Sequence, residues 1–193
     1  MNARNLTMEN ISRTANIVGA MCLAISDKLN GELKEHSRQN DTSIAALNVI
    51  GLSEGLSNGQ LGATLGITHS ATVRLVDKLV EALFAEVRPG LDKRTVAIFL
   101  TDAGRTKVTQ SLENRIHTLT GIVAVLSKEQ REQLDSIAET LLGYFTETPE
   151  QAMHVCRLCE MVSCPLERCP AHLKEAPNEK ILKPGNNPGT PPD

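Results

Sequence analysis

Apolar and polar positions follow a helical period along most of the chain, and the segment from Thr68 to Leu83 shows it most clearly. Apolar residues recur there at steps of three and four, which predicts a helix with one apolar face, and either Thr68 or Ser70 can cap its start. The apolar face consists of Val73, Val76, Val80 and Leu83. The opposite, polar face carries His69, Thr72, Arg74, Lys78 and Glu81.

A shorter helix comes directly before this one. Ser57 and Gln60 have the spacing of a capping box and open a helix that contains Leu61 and Leu65. Gly66 ends it, because the tight turn needs a positive φ, which glycine adopts without strain. Two short helices joined by such a turn form a helix-turn-helix, whose second helix enters the major groove of DNA.

After the second helix the pattern becomes that of strands. A short run before Pro89-Gly90 and a β-branched run at 95–100 flank this turn dipeptide, which predicts a hairpin. The basic residues at or near its tip are Arg88, Lys93 and Arg94. A helix-turn-helix followed by a basic hairpin is typical of winged-helix DNA-binding proteins.

Together these residues resemble the multiple-antibiotic-resistance regulator (MarR) family of winged-helix transcription factors. The most specific part is the wing, where Asp92-x-Arg94 is followed after five residues by Leu100-Thr101-x-x-Gly104. The resemblance covers roughly residues 10–146. It implies a mainly α fold with a small β-hairpin wing, acting as a dimeric repressor. It also implies that Arg94 reaches the minor groove and that Asp92 orients a neighbouring arginine through an ion pair.

The chain departs from the family's pattern at two positions. The family usually has glycine where Leu83 stands, so the end of this helix must find another turn geometry or accept strain. It often has arginine where Val87 stands, which removes one potential phosphate contact.

Three long segments with apolar faces flank the winged helix-turn-helix. They are residues 9–35, a segment capped by Thr101 and a segment that opens with the capping-box spacing of Ser127 and Gln130. The first has a heptad seam that includes Cys22, whose simplest interpretation is a small core residue. We therefore expect residues 1–40 and 105–148 to form a helical dimerisation domain around a winged helix-turn-helix at 41–104. A two-fold axis would place its two copies on half-sites about 34 Å apart.

Composition and charge bear on whether the protein enters a membrane and whether it binds nucleic acid. No apolar run approaches the roughly 20 residues that span a bilayer, so we expect a cytoplasmic protein that does not enter a membrane. The net charge of −3 argues against nucleic acid by itself, but the charge is unevenly placed. From Arg88 to Lys107 there are five Lys and Arg against two Asp and Glu, and a locally basic wing on an acidic body favours one docking orientation on DNA.

Beyond Pro149 four of the five cysteines fall within 14 residues. They are Cys156, Cys159, Cys164 and Cys169. In a reducing cytosol such a cluster favours a metal or redox role over disulfides, and four thiolates can close a tetrahedral structural zinc site. An iron–sulfur cluster, suggested by the proline after the last cysteine, and free or disulfide-switching thiols are the alternatives. We expect residues 149–173 to form this segment and the proline-rich 174–193 to be disordered.

The function expected from these patterns is sequence-specific binding of double-stranded DNA by a homodimeric transcriptional regulator with no catalytic residues. Ser70, Thr72 and Arg74 are expected to face base edges, because base contacts come from the start of the second helix. The other expected DNA-binding residues are His69, Lys78, Arg88, Lys93 and Arg94. The alternative is a metal- or redox-active thiol protein, an electron carrier or an enzyme, built on the cysteines. The sequence does not specify an operator, a regulated gene or a small-molecule effector. The cysteines could control the angle between the two DNA-binding units or only protect the end of the last long helix.

Overall fold

The computed structural model describes residues 3–36, 41–90, 95–161, 163–164 and 169–171, and the side chains of the first helix from residue 10 to residue 31. Its elements, in chain order, are α1 (Ala3–His36), α2 (Asp41–Leu52), α3 (Asn58–Leu65), α4 (His69–Glu81), β1 (Ala85–Pro89), β2 (Val96–Leu100), α5 (Asp102–Val123), α6 (Lys128–Phe145) and α7 (Pro149–Cys156). The prediction of a mainly helical chain with one small hairpin is confirmed. None of the helices in these ranges is long and apolar enough to cross a membrane.

The main hydrophobic core lies where α2, α3 and α4 meet the hairpin and the start of α5. Its largest fully buried side chains are Leu47, Ile50, Leu61, Leu79 and Ile98. Helix α2 is buried almost continuously from Ile44 to Ile50 and forms the centre of this unit.

The helix ends follow the predicted capping residues. Ser57 and Ser127 each form a capping box, with Gln60 and Gln130 respectively, and Thr68 rather than Ser70 caps α4. Gly66 ends α3 with φ of 67°, in the left-handed region that the tight turn requires.

The wing is an antiparallel pair in which Ala85 faces Leu100 and Pro89 faces Val96. An isolated antiparallel bridge between Leu56 and Ile98 ties the hairpin to the segment before α3. Glycine at position 90 is required by packing, because a Cβ there would lie 2.4 Å from the Thr95 hydroxyl oxygen. The wing tip, with the predicted Asp92, Lys93 and Arg94, lies outside the described residues.

The turn between α4 and the wing packs against the first turn of α5. Leu83 has φ of 60°, so the chain accepts a left-handed residue where glycine would be unstrained. The Thr101 hydroxyl donates a hydrogen bond of 2.6 Å to the Leu83 carbonyl and accepts one from the Gly104 amide. A Cβ at Gly104 would lie 1.9 Å from the Phe84 carbonyl oxygen, so only glycine fits this contact.

The three long helices α1, α5 and α6 leave much apolar surface uncovered. Helix α1 packs on α5 within the chain, yet Ile11, Met21 and Leu23 are exposed. Cys22 is also exposed in the single chain, so its interpretation as a core residue stays a prediction that depends on a second subunit. On α6 the exposed apolar residues are Ile137, Leu141, Tyr144 and Phe145.

Helix α7 is absent from the sequence-based expectations. Thr148 and Gln151 form a capping box at its start, and Pro149 occupies its first turn. The helix packs against α3, so α7 lies on the helix-turn-helix.

Candidate nucleic-acid interface

Helix α4 has one buried and one exposed face. The buried residues are Thr72, Val76 and Leu79, with Val73 and Leu75 half-buried beside them. The exposed residues include the predicted DNA-binding side chains His69, Ser70, Arg74 and Lys78. Val80 and Leu83, predicted on the apolar face, are exposed, because the real buried stripe is rotated towards Thr72 and Leu79.

Thr72 does not belong to the interface, and its prediction as a base-contacting residue is wrong. Its side chain is 0% exposed, and its hydroxyl donates a hydrogen bond of 3.0 Å to the Thr68 carbonyl. A Cβ at Gly62 would lie 2.5 Å from this hydroxyl, so Thr72 fills the contact between α3 and α4. It fixes the angle of the exposed helix instead of contacting a base.

Ser70, Arg74 and Lys78 are spaced four residues apart and therefore lie in one stripe along α4, roughly 12 Å long at 1.5 Å per residue. Asp77 and Glu81 are exposed near the same stripe towards its C-terminal end. Phosphates would be repelled there, so the charge pattern directs nucleic acid to the N-terminal half of the helix.

Arg88 is the predicted DNA-binding residue in the described part of the wing. Its guanidinium forms an ion pair with Glu86 on the same strand and lies 4.3 Å from the centre of the Phe99 ring. Ring stacking and the carboxylate hold the guanidinium at the surface of the hairpin. Glu86 offsets part of its charge, so Arg88 is a weaker phosphate contact than an unpaired arginine.

The four clustered cysteines come together in a small second core that also contains Ala152 and Ala171. The sulfur atoms of Cys156 and Cys169 are 3.7 Å apart, and all five cysteines of the chain are free thiols. Hydrogen bonding to Cys159 and burial raise the pKa of Cys156 above its ordinary value. Hydrogen bonding from Cys156 and the nearby Arg115 charge, opposed by burial, lower the pKa of Cys159 to about 7. In the ranges that the structure describes, no group of three or more His, Cys, Asp or Glu side chains could hold a metal ion as it stands.

Two polar residues connect this segment with α2 and α3, and sequence reasoning missed both contacts. His154 Nδ1 lies 3.0 Å from the Thr64 carbonyl oxygen, and Asn48 Nδ2 lies 3.0 Å from the Arg157 carbonyl oxygen. Asn48 could have been noticed as the one amide within the apolar run from Ile44 to Ile50. His154 gives no comparable signal, since an isolated histidine is usually a surface residue.

Comparison with known proteins supports the fold. No family model matches the chain, and no curated protein does. Among solved structures, apo MarR from E. coli is 19% identical with a TM-score of 0.57, and the match covers 66% of this chain and 96% of that one. A MarR family protein from Bacillus stearothermophilus is 18% identical with a TM-score of 0.60, covering 73% and 95%. FabT from Streptococcus pneumoniae, solved in complex with DNA, is 18% identical with a TM-score of 0.56, covering 71% and 96%. The chain therefore has the winged-helix fold of MarR family regulators, as the sequence predicted.

Proposed function

We propose that this protein is a transcriptional regulator that binds double-stranded DNA sequence-specifically through α4 and the wing. The observation that carries the proposal is the sidedness of α4, whose polar N-terminal half is exposed on a helix anchored by the buried Thr72, Val76 and Leu79. A rigidly packed helix with exposed donors is what reading of base edges in the major groove requires. The DNA complex of FabT, which shares the fold, supports it.

Within this proposal the exposed residues divide by role. Ser70 and Arg74 lie early on α4 and face base edges, whereas His69, Lys78 and Arg88 contact phosphate or sugar. Lys93 and Arg94 extend the contact from the wing tip, with Asp92 orienting Arg94 as the family resemblance implies.

The proposed protein acts as a homodimer on a pseudo-palindromic operator. The exposed apolar residues of α1 and α6 form the kind of surface that a second subunit covers, because soluble monomers seldom leave such faces open. Two winged-helix units on one two-fold axis would contact half-sites about 34 Å apart. Binding over a promoter would block transcription, which makes the proposed regulator a repressor.

The test is operator binding by the Arg74→Ala variant, measured by fluorescence anisotropy on the protein's own upstream DNA and on single-base variants of it. Loss of a bidentate contact to guanine should weaken binding by roughly 1–3 kcal/mol and relax the preference at one base position. Lys128→Ala is the matched control, because it removes one positive charge at the start of α6, where its ion pair with Glu132 is exposed.

Two results would argue against this assignment. Uniform weakening on every sequence would place Arg74 among the phosphate contacts. Unchanged binding of Arg74→Ala on all sequences would show that α4 does not read the operator.

A further inference from the structure

The described part of the C-terminal segment, residues 149–161, 163–164 and 169–171, joins α2 and α3 by hydrogen-bonded contacts. His154 of α7 reaches the end of α3, and Asn48 of α2 reaches the end of α7. Each contact satisfies carbonyl groups that a helix end leaves without a partner. The segment thus supplies part of the hydrogen bonding of the DNA-binding unit.

The first contact lies at the turn of the helix-turn-helix itself. Thr64 is in the last turn of α3, and its carbonyl oxygen can only accept, so the His154 Nδ1 atom carries the proton at 3.0 Å. A Cβ at Gly66 would lie 3.3 Å from His154 Cε1, so the ring packs directly on the turn that sets the angle between α3 and α4.

The second contact lies inside the core. Asn48 is 7% exposed, and its amide donates to the carbonyls of Arg157 at 3.0 Å and of Cys159 at 3.4 Å. Leu158, between them in sequence, packs against the main core. Without the C-terminal segment the Asn48 amide would have to be satisfied by water entering an otherwise apolar site.

The described residues of this segment offer few large apolar side chains for burial. Among them, the core consists of Ala152, Cys156, Cys169 and Ala171, with Val155, Cys159 and Cys164 packed beside it. Two alanines and a few thiols stabilise a fold weakly, and natural segments of this size are usually held by disulfides or a structural metal.

The distance between two of the sulfur atoms is compatible with a metal and too long for a disulfide. A tetrahedral zinc site with Zn–S bonds of about 2.3 Å has neighbouring sulfurs about 3.8 Å apart, whereas bonded sulfurs of a disulfide are about 2.05 Å apart. Cys156 and Cys169 lie 3.7 Å apart, which is one edge of such a tetrahedron. Cys159 is hydrogen-bonded to Cys156, and Cys164 is hydrogen-bonded to Cys169, so the four thiols form one connected group. The described side chains do not hold a metal ion as they stand, so binding requires the thiols to move towards one centre. In a [4Fe–4S] cluster each cysteine binds a different iron, which separates the sulfurs further.

We propose that Cys156, Cys159, Cys164 and Cys169 bind one Zn²⁺ ion as four thiolates, and that this ion holds the C-terminal segment on the helix-turn-helix so that operator affinity depends on the metal. The thiols release their protons to solvent, and the ion shares no bond with DNA. Loss of the ion frees His154 and Asn48 from their contacts, which loosens the turn before α4 and weakens binding. The dependence of DNA affinity rests on the proposed function, whereas the metal site does not.

The first experiment measures the metal. The full chain, purified under reducing conditions and supplied with Zn²⁺, is expected to hold one zinc per chain, and Co²⁺ in its place should give the visible absorption of a tetrahedral thiolate complex. Cys164→Ser should lose this ion, whereas Cys22→Ser, which changes the exposed cysteine of α1, should keep it. Full zinc content in Cys164→Ser, no zinc in the parent chain or a brown iron–sulfur spectrum would each overturn the site.

The second experiment measures the coupling. Removal of zinc by a chelator, or the Cys164→Ser change, should weaken operator binding between about 5-fold and 150-fold, and added Zn²⁺ should restore the chelated parent but not the variant. His154→Ala should keep its zinc and still bind DNA more weakly. Lost metal with unchanged or tighter operator binding would overturn the coupling.

A third measurement separates this inference from the proposed function. If the parent chain binds no DNA, the proposed function fails, but added Zn²⁺ should still raise the melting temperature of the parent and of Cys22→Ser. It should not raise that of Cys164→Ser. If added Zn²⁺ does not change the melting temperature of the parent, the inference is overturned independently of DNA binding.

Discussion

Among the residues that the structure describes, Leu83 is the one non-glycine residue with a positive φ, which is 60°. Its side chain is 72% exposed. A left-handed conformation costs a branched residue of this kind on the order of 1–3 kcal/mol, and no buried contact of its own offsets that cost. The strain persists because the turn is fixed from both sides, by the end of α4 and by the Thr101 hydroxyl on the Leu83 carbonyl.

We expect Leu83→Gly to raise the free energy of unfolding by roughly 1 kcal/mol, because glycine adopts this φ without strain and little apolar burial is lost. Leu83→Ala is the control, since it removes the same exposed side chain but keeps a Cβ in the left-handed conformation. Urea unfolding of the three proteins measures the difference. Equal stability of the glycine and alanine variants would mean that the turn is not strained.

Sequence reasoning foresaw the choice at Leu83 but not the burial of Thr72. A leucine where the family usually has glycine raises one question, whether the backbone keeps the left-handed geometry. The two possible outcomes at Leu83 could therefore be stated in advance. Threonine is counted as polar in a periodicity pattern, yet its hydroxyl can be satisfied by the carbonyl four residues earlier, as it is at Thr68. The periodicity pattern alone does not distinguish an exposed threonine from a buried one whose hydroxyl is hydrogen-bonded within its own helix.

Between elements, the angle between α3 and α4 depends on a close contact in which Gly62 faces Thr72. A Cβ at Gly62 would lie 2.5 Å from the Thr72 hydroxyl oxygen and 3.3 Å from the Ile67 carbonyl oxygen. Neither neighbour is the flexible end of a long side chain, so the two helices would have to separate.

Gly62→Ala should therefore lower the free energy of unfolding by roughly 1–3 kcal/mol through overpacking. Gly59→Ala is the matched control in the same helix, where the nearest atom to a new Cβ is the Ser57 hydroxyl at 3.8 Å. That variant should be neutral or more stable by up to about 1 kcal/mol, because alanine favours helix. Thermal unfolding measures both, and the Gly62→Ala, Thr72→Ala double variant should recover part of the loss. Equal effects of alanine at 59 and 62 would contradict the close contact.

The elements of the winged helix were predictable, whereas the position of α7 was not. Caps at Ser57, Thr101 and Ser127 are local signals, and each is realised. The contacts of α7 with α2 and α3 join residues 90 to 111 positions apart, and no local pattern encodes such pairs. The capping box at Thr148 was a usable signal for the helix itself.

At the scale of the whole molecule, the exposed apolar stripe of α6 is the best test of dimerisation. Ile137 is 56% exposed in the single chain, and Leu141 follows it one turn later. A charge at this position should leave the folded chain unharmed but would be buried without a partner in a dimer.

We expect Ile137→Asp to weaken the dimer by at least about 2 kcal/mol, roughly 30-fold in the dissociation constant, and to weaken operator binding with it. Glu139→Lys is the control, because residue 139 lies on the opposite side of α6. Sedimentation and light scattering measure the assembly state. A dimer unaffected by Ile137→Asp would place the interface elsewhere.

The contact between Asn48 and Arg157 also has a consequence for how the protein is made. The two residues are 109 positions apart, and a ribosome adding about 5–20 residues per second needs about 5–20 s to reach the second after the first. During that interval the Asn48 amide and the Thr64 carbonyl can bond only to water. We therefore expect the core around Leu47, Leu61 and Ile98 to hold the emerging helix-turn-helix together by itself, and the C-terminal segment to complete the unit afterwards.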